Sequence, residues 1–255
     1  MIFEAIQHFL TPAAKEVKAL GYLREAIAIN QRFSRCRAAW ADHLEKCHHH
    51  ILVAAEGLKE KTTLMIIGSG ALHDVPVDRL LSRGFRLVLV DIVHLAKVRR
   101  QYEHHDQILL LEHDVTGLIT PLFQQKQLSK QEIKNSLPKT DLVISLNILS
   151  QLPLNLRKYA EKHHIAVTND FEQTVMTNHL NLIEKLAPKT LIISDLERSY
   201  YLGKETVEKE TALPESITQR LAAPDNTWDW QIAPKGELGR DISLSHHVAC
   251  WNISP

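Results

Sequence analysis

Five short apolar runs set the limits on what this chain can fold into. They are "LMII" (64–67), "RLVLVD" (86–91), "ILLLEHD" (108–114), "DLVISLN" (141–147) and "TLIISD" (190–195). Each has the length of a strand, and none alternates apolar with polar residues, so both faces need cover. The segments between them hold crossover helices: "VDRLLSRG", with Gly84 as its stop, "LAKVRRQYEHH", and "TVMTNHLNLIEKLAP", ending at Pro188. Strands alternating with helices predict a doubly wound, mostly parallel α/β sheet.

Both ends depart from that rhythm. Residues 1–60 carry apolar residues at three- and four-residue spacing, as in "TPAAKEVKALGYLREAIAINQRF" and "RCRAAWADHLEKCHHHILVAAEGL", and have almost no strand signal. At the other end, "WDWQIAP" and "SHHVACWNI" are joined by the turn-rich "KGELGRDISL", with no room for a crossover helix, so they should pair antiparallel. The expected architecture is a seven-stranded Rossmann-like sheet closed by an antiparallel C-terminal hairpin. Residues 1–60 form a helical extension or lid on a domain spanning 61–255. The polar stretch "QQKQLSKQEIKNS" (124–136) reads as an exposed helix or loop.

Charge narrows the partners. Thirty basic residues balance thirty acidic ones, so no net field draws the chain to duplex nucleic acid or an anionic membrane, and no apolar run reaches membrane-span length. Three cysteines cannot build a disulfide framework, and the N-terminus lacks the basic, then long apolar, pattern of a signal peptide. A cytoplasmic protein acting on a small molecule is expected; oligomeric state is not legible.

The stretch "TTLMIIGSGALHDVP" carries the first functional signal. Only nine glycines occur in the chain, and two of them, Gly68 and Gly70, follow the first strand one residue apart. At the carboxyl end of a central strand, such a turn lets backbone approach a ligand closely. Asp74 reads as the cap of the next helix, with Pro76 in its first turn. His73 stands where the third glycine of a dinucleotide fingerprint belongs, which counts against NAD or FAD. Asp91 ends the second strand, where a carboxylate accepts two hydrogen bonds from a ribose diol. Asp114 ends the third, in reach of an adenine amino group, although either acid also suits a turn. Together they favour an adenosine pocket.

The ordered segments "LMIIGSGALHDVP", "LVLVDIVH", "EHDVTG", "DLVISLNILSQLP" and "LIISD", with the terminal hairpin, resemble the motifs of class I S-adenosylmethionine-dependent methyltransferases over residues 62–255. The runs "SRCRAAWADHL" and "WDWQIAPKGE" are similar to bacterial members without an assigned substrate. The resemblance implies S-adenosylmethionine as cofactor, with Gly68, Ser69 and Gly70 along its methionine and ribose. It implies Asp91 and Ile92 at the ribose, Asp114 and Val115 at the adenine, and Asn147 beside the methionine end. Two departures stand out. The family commonly has an acid two residues before the first glycine, where this chain has Ile66. The segment "NILSQLP" replaces the Asn-Pro-Pro-Tyr type of enzymes that methylate base amines.

Candidate bases or substrate anchors are His94, His113 and Gln151, with Asp195 and Glu197 also at strand ends. Arg35 and Trp40 could recognise an anionic or planar substrate from the lid, with Arg37 beside them. His43, Cys47 and His50 share a helix face, but the two histidines lie about 10 Å apart along the axis, too far for one zinc ion. No metal site is expected. The serines lack a nucleophile elbow, against a hydrolase. The readings left open are a methyltransferase, a nucleotide-dependent oxidoreductase, and a non-catalytic cofactor-binding or scaffold protein.

Overall fold

The computed structural model describes residues 7–125 and 137–254. Most of the polar stretch at 124–136 lies outside the described residues. The sheet runs β3-β2-β1-β4-β5-β8-β7, with β6 paired to β5 off this path. Its parallel half consists of β1 (Thr63–Ile67), β2 (Arg86–Asp91), β3 (Ile108–Glu112), β4 (Leu142–Leu146) and the first part of β5 (Lys189–Leu202). β1 pairs with β2 on one side and β4 on the other, so strand order reverses at β1/β4. That reversal is where α/β sheets place their ligands.

The antiparallel end is present as expected: β8 (Ile242–Ile253) pairs with both β5 and β7 (Asn226–Ala233). Among the described residues the sheet has eight strands rather than seven. β5 runs on past Asp195 and turns through Gly203 into β6 (Glu205–Thr211), an antiparallel ribbon. The sequence "ETVEKET" is exposed along nearly its whole length, so β6 lacks the apolar signal that marked the other strands.

The helices that frame the site follow in chain order. α1 (Lys15–Ala19) leads through Gly21 into α2 (Tyr22–Ala54), two helical stretches joined at a kink where Cys36 leaves helical geometry, at φ −107° and ψ 19°. α3 (Val77–Ser82), α4 (Ala96–Tyr102) and α5 (Ile119–Phe123) follow the first three strands. Beyond its bend, α2 buries Trp40, Cys47 and Ile51 in the same core as Leu64, Ile66 and Trp230. The opposite sheet face packs Met65, Ile67 and Val143 against the α6 helix (Leu152–Lys162) and the α7 helix (Phe171–Leu186). Both faces of β1 and β4 are therefore buried, as their continuous apolar sequence requires. No helix among the described residues is long and apolar enough to cross a membrane.

Candidate functional site

The glycine turn folds back onto the end of β2. Gly68 and Ser69 both donate their backbone N–H to Val90 O, at 3.0 and 3.2 Å. Gly70 donates its own to Asp91 Oδ2 at 2.7 Å, while Asp91 Oδ1 accepts from Ile92 N at 2.8 Å. Gly68 takes φ +84°, and a Cβ there would sit 2.5 Å from Leu146 O, so this glycine lets β1 and β4 leave the sheet side by side. Gly70, at φ +51°, would meet nothing closer than 4.0 Å. The first glycine serves packing, and the second borders open space.

That space is a cavity of about 540 Å³ over the carboxyl ends of the strands. Its floor is formed by Ile67, Gly68, Gly70, Val90, Asp91 and Leu146. Tyr22, Glu25, Ala26, Ile29 and Arg32, from α2 before its bend, also line it. A side wall comes from the antiparallel half of the sheet: Arg198, Tyr200, Trp230, Leu244 and His246, with Trp40 and His43 from beyond the bend. The volume lies within the range of small-ligand pockets, about 300–1,000 Å³.

Two strand-end acids hold loops as well as facing the cavity. Asp114 Oδ1 accepts from Thr116 N at 2.9 Å and from Thr116 Oγ1 at 2.6 Å, and Oδ2 accepts from Ile119 N at 2.9 Å, the first residue of α5. Like Asp91, it fixes the backbone beside it and retains acceptor capacity, since a carboxylate has about four lone-pair sites. Ile92 is half-buried and Val115 buried, and both line the cavity with these acids.

Asp74 does not cap the following helix. α3 begins at Val77 with no side-chain cap, because Pro76 extends the loop before it. Asp74 instead turns toward β4 and accepts from Asn147 Nδ2 at 2.8 Å. Burial raises its carboxyl to about 6, with the nearby Asp91 charge adding to the rise. Asn147 itself occupies the left-handed region, at φ +50°. Its backbone N–H donates to Ile193 O at 2.8 Å, and its side chain reaches His43 on α2, 3.2 Å from Nε2. His43 is 1% exposed, stacks on Trp230 with ring centroids 3.9 Å apart, and accepts from Trp228 Nε1 at Nδ1, 3.0 Å away. Burial lowers its pKa to about 3, so the ring is neutral.

The other sequence candidates separate by position. His113, Gln151, Trp40 and Asn147 line the cavity, and Gln151 donates through Nε2 to Asn147 O at 2.8 Å. His94 does not line it. Its ring is fully buried, with Nε2 donating to Leu89 O at 3.2 Å, and burial pushes its pKa down. A side chain locked in the core cannot reach a substrate in the cavity. Ser69 is likewise fully buried, its hydroxyl donating to Val90 O, so this member of the turn borders the cavity floor from below. Arg35 points away, onto Glu237 in the β7–β8 connection; it is the neighbouring Arg32 that lines the cavity. Asp195 is buried in a pair with Arg198, and Glu197 pairs with Lys209 at the surface. Cys47 and His43 touch, but His50 stacks on Trp228 instead, and the described residues contain no group of three metal ligands.

Glu25, Arg198, Trp230 and His246 escaped the sequence reading. Nothing local marks them, because the α2 bend and the antiparallel strands bring them to the cavity from far along the chain. Tyr22 carried no more signal; its hydroxyl pKa is raised by burial and by the Asp114 and Glu25 charges.

No protein-family model matches the chain, and no curated protein matches it. Among solved structures, it is similar to the 1,6-didemethyltoxoflavin-N1-methyltransferase of Burkholderia thailandensis, solved with 1,6-didemethyltoxoflavin and S-adenosylhomocysteine. Identity is 13% and the TM-score 0.46, over 94% of this chain and 92% of that one. It is also similar to the N-methyltransferase NodS from Bradyrhizobium japonicum WM9, at 12% identity and TM-score 0.42, over 80% and 95% of the two chains. A SAM-dependent methyltransferase from Aquifex aeolicus gives 11% identity and TM-score 0.38, over 78% and 88%. Likeness at this level decides neither ligand nor reaction, which have to come from the residues.

Proposed function

We propose that the chain is an S-adenosylmethionine-dependent methyltransferase acting on a small acceptor. The observation that carries this reading is the accounting of donors at the glycine turn. A dinucleotide pyrophosphate is held by free backbone N–H groups and a helix N-terminus at this position. Here the N–H groups of Gly68, Ser69 and Gly70 are all spent on Val90 O and Asp91, and the next helix starts only at Val77. The cavity lining has four carboxylates, Glu25, Asp74, Asp91 and Asp114, against two guanidinium groups, Arg32 and Arg198. Both of those are paired with other acids, Glu237 and Asp195. Such a lining repels a phosphate-bearing cofactor and suits a cationic one.

In this reading Asp91 uses its remaining acceptor sites for a ribose diol, with Ile92 alongside. Asp114 and Val115 border the adenine, and Gly70 leaves room for the chain between them. Ile66 replaces the expected acid and is fully buried in the core, so it offers nothing to the ligand. The cofactor would supply a methyl group on a sulfonium, a good leaving group. What remains for the protein is to align donor and acceptor and to exclude water. In this reading the α2 segment from Tyr22 to Arg32, which lines the cavity, serves the latter as its roof. Because cofactor and acceptor must share about 540 Å³, the acceptor is small.

Residues 1–60 and 61–255 act together in this account, the first as cover and the second as sheet and cofactor site. Three buried free cysteines suit a reducing compartment such as the cytoplasm. Mass spectrometry of small molecules released from the purified protein tests the reading. S-adenosylmethionine or S-adenosylhomocysteine supports it, whereas NAD or a flavin would replace it with an oxidoreductase. Turnover to S-adenosylhomocysteine separates an enzyme from a binding protein that kept the fold alone.

A further inference from the structure

The polar chain Trp228–His43–Asn147–Asp74 contains a mismatch that a proton on Asp74 resolves. Indole N–H is a donor only, so the 3.0 Å contact makes His43 Nδ1 an acceptor. A neutral imidazole then carries its proton on Nε2. That N–H faces Asn147 Nδ2 at 3.2 Å, and Nδ2 is itself a donor, occupied with Asp74 Oδ2 at 2.8 Å. With Asp74 ionised, two N–H groups point at each other in a part-buried place. Among the described residues, the other hydrogen-bonding atom recorded near Nε2 is the weak Cys47 Sγ at 3.5 Å.

Turning the Asn147 amide by 180° removes the clash, provided Asp74 is protonated. Oδ1 then accepts from His43 Nε2–H and from the Asp74 carboxylic acid, and the amide N–H₂ takes the other side. Oxygen and nitrogen of an amide occupy nearly the same places, so neither state requires movement of the backbone. The chain thus has two hydrogen-bonded states that differ by one proton at Asp74 and one amide turn.

We propose that Asp74 is the base that takes the proton of the methyl acceptor, and that the His43–Asn147 pair holds that proton in place by turning the amide. The proposal rests on the methyl-transfer reading above. It specifies the acceptor as a small molecule that arrives with an O–H or N–H on the atom to be methylated. The walls around the pair, Trp40, Trp230 and Tyr200, favour a ring-borne group. The atoms balance without a further reactant. The acceptor atom forms its bond to the methyl carbon, the sulfur–carbon bond breaks with its electrons on sulfur, and the acceptor's proton passes to Asp74 Oδ2.

Around the carboxyl, burial is the largest influence and raises its pKa, while hydrogen bonds from the Asn147 amide and from backbone pull it down. Asp91, at the end of β2, raises its pKa by charge. Cys47, on α2, is a thiol whose own pKa is pushed well up by burial. His43 is neutral, held so by burial and by the neighbouring His246. Asn147, the residue after β4, is the hydrogen-bond partner. Burial places the carboxyl at about 6, in the range of a base useful at neutral pH.

Carbon-13 carboxyl and nitrogen-15 amide resonances of the labelled full chain, followed from pH 4.5 to 8, test this without any acceptor. One carboxyl, absent in Asp74→Asn and retained with a shifted position in Asp74→Glu, titrates near pH 6. The Asn147 side-chain amide moves with the same midpoint, and in Asp74→Asn it no longer responds to pH. The shared midpoint is read in wild type alone, so the result does not depend on either variant folding. An Asn147 amide that stays flat, or an Asp74 carboxyl titrating below pH 5, overturns the proposal. Calorimetry with S-adenosylhomocysteine on the same samples separates the two levels. Wild type that does not bind it but shows the shared titration overturns the methyl-transfer reading and with it the role of Asp74 as base in that reaction, leaving only the coupled Asp74–Asn147 pair. Binding that falls tenfold or more in Asp74→Asn, with a flat Asn147, makes Asp74 a cofactor anchor and overturns its role as base.

Discussion

Asp91 closes the glycine turn of this protein: its Oδ2 accepts the N–H of Gly70 at 2.7 Å across 21 residues of chain. The same carboxylate takes Ile92 N–H through Oδ1 at 2.8 Å, so it fixes both walls of the cavity floor before any ligand arrives. Asp91→Ala should therefore weaken S-adenosylhomocysteine binding about ten- to a thousandfold, with hydrogen bonds to a charged group worth about 1.5–3 kcal/mol each. Stability should fall as well, by about 1–3 kcal/mol, because two backbone donors lose a charged partner and water only partly replaces it. From sequence, a strand-end carboxylate would leave stability almost unchanged. Parallel calorimetry and thermal melts measure both losses.

The two glycines of the turn should separate fold from site. Gly68→Ala puts a Cβ 2.5 Å from Leu146 O at φ +84°, between the two central strands. It should cost about 2–4 kcal/mol of stability. Gly70→Ala has no neighbour within 4 Å other than Gly68 O at 4.0 Å, so only its φ of +51° is strained. It should cost about 1–2 kcal/mol and leave the fold intact while weakening ligand binding more than tenfold. Urea melts of both variants, with binding measured on whichever stays folded, check the contrast.

The sheet was legible because its strands satisfy one simple demand. β1 and β4 are buried on both faces, and that demand shows as unbroken apolar sequence. β6 was invisible for the same reason in reverse, since an exposed ribbon of Glu, Lys and Thr needs no apolar face. The acids at the strand ends could be found by counting from the glycines. The role of Asp74 could not. Its position beside Pro76 matches a helix cap, whereas its partner is Asn147, 73 residues on. Nor does the His43 pattern "HLEKCHHH" announce Trp228, 185 residues away, which sets its tautomer. Local chemistry is written locally, but a cavity wall assembled by a bent helix and an antiparallel edge is not.

Acid should unfold this protein early. His43 is held at about 3, and His179 and His246 at about 4, chiefly by burial. These folded-state values lie below the unfolded value of about 6.5. The unfolded chain therefore binds more protons below pH 6.5, and stability present above it is lost as pH falls toward 4. Each histidine accounts for about 3 kcal/mol by pH 4, and together they are comparable to the whole stability of a domain, about 5–15 kcal/mol. Thermal melts from pH 8 to pH 4 should show the decline. His179→Leu, which leaves Ser145 Oγ without its 2.8 Å partner, should start lower at pH 8 and lose less on acidification.

Asp74 has the opposite sign. Its folded value of about 6 lies above the ordinary carboxyl value of 3.8, so its charge costs stability, increasingly from pH 4 to pH 6 and fully above. Asp74→Asn should stabilise the ligand-free protein by about 1–3 kcal/mol at pH 7.5, water in the cavity keeping the gain below the full burial cost. The gain should be smaller at pH 5. Equal or lower stability of the variant at pH 7.5 would show that the carboxylate is well solvated and not held near neutrality.

Isothermal titration of the full chain with S-adenosylhomocysteine and with NAD bears most directly on the central claim, that a spent glycine turn and an acid-lined cavity select a cationic adenosyl cofactor over a phosphate-bearing one. Saturable binding of S-adenosylhomocysteine is expected at about micromolar concentration, equivalent to about 8 kcal/mol, with S-adenosylmethionine at least as tight and no heat with NAD. Binding of NAD in preference to either adenosyl ligand, or of none of the three, would contradict that claim.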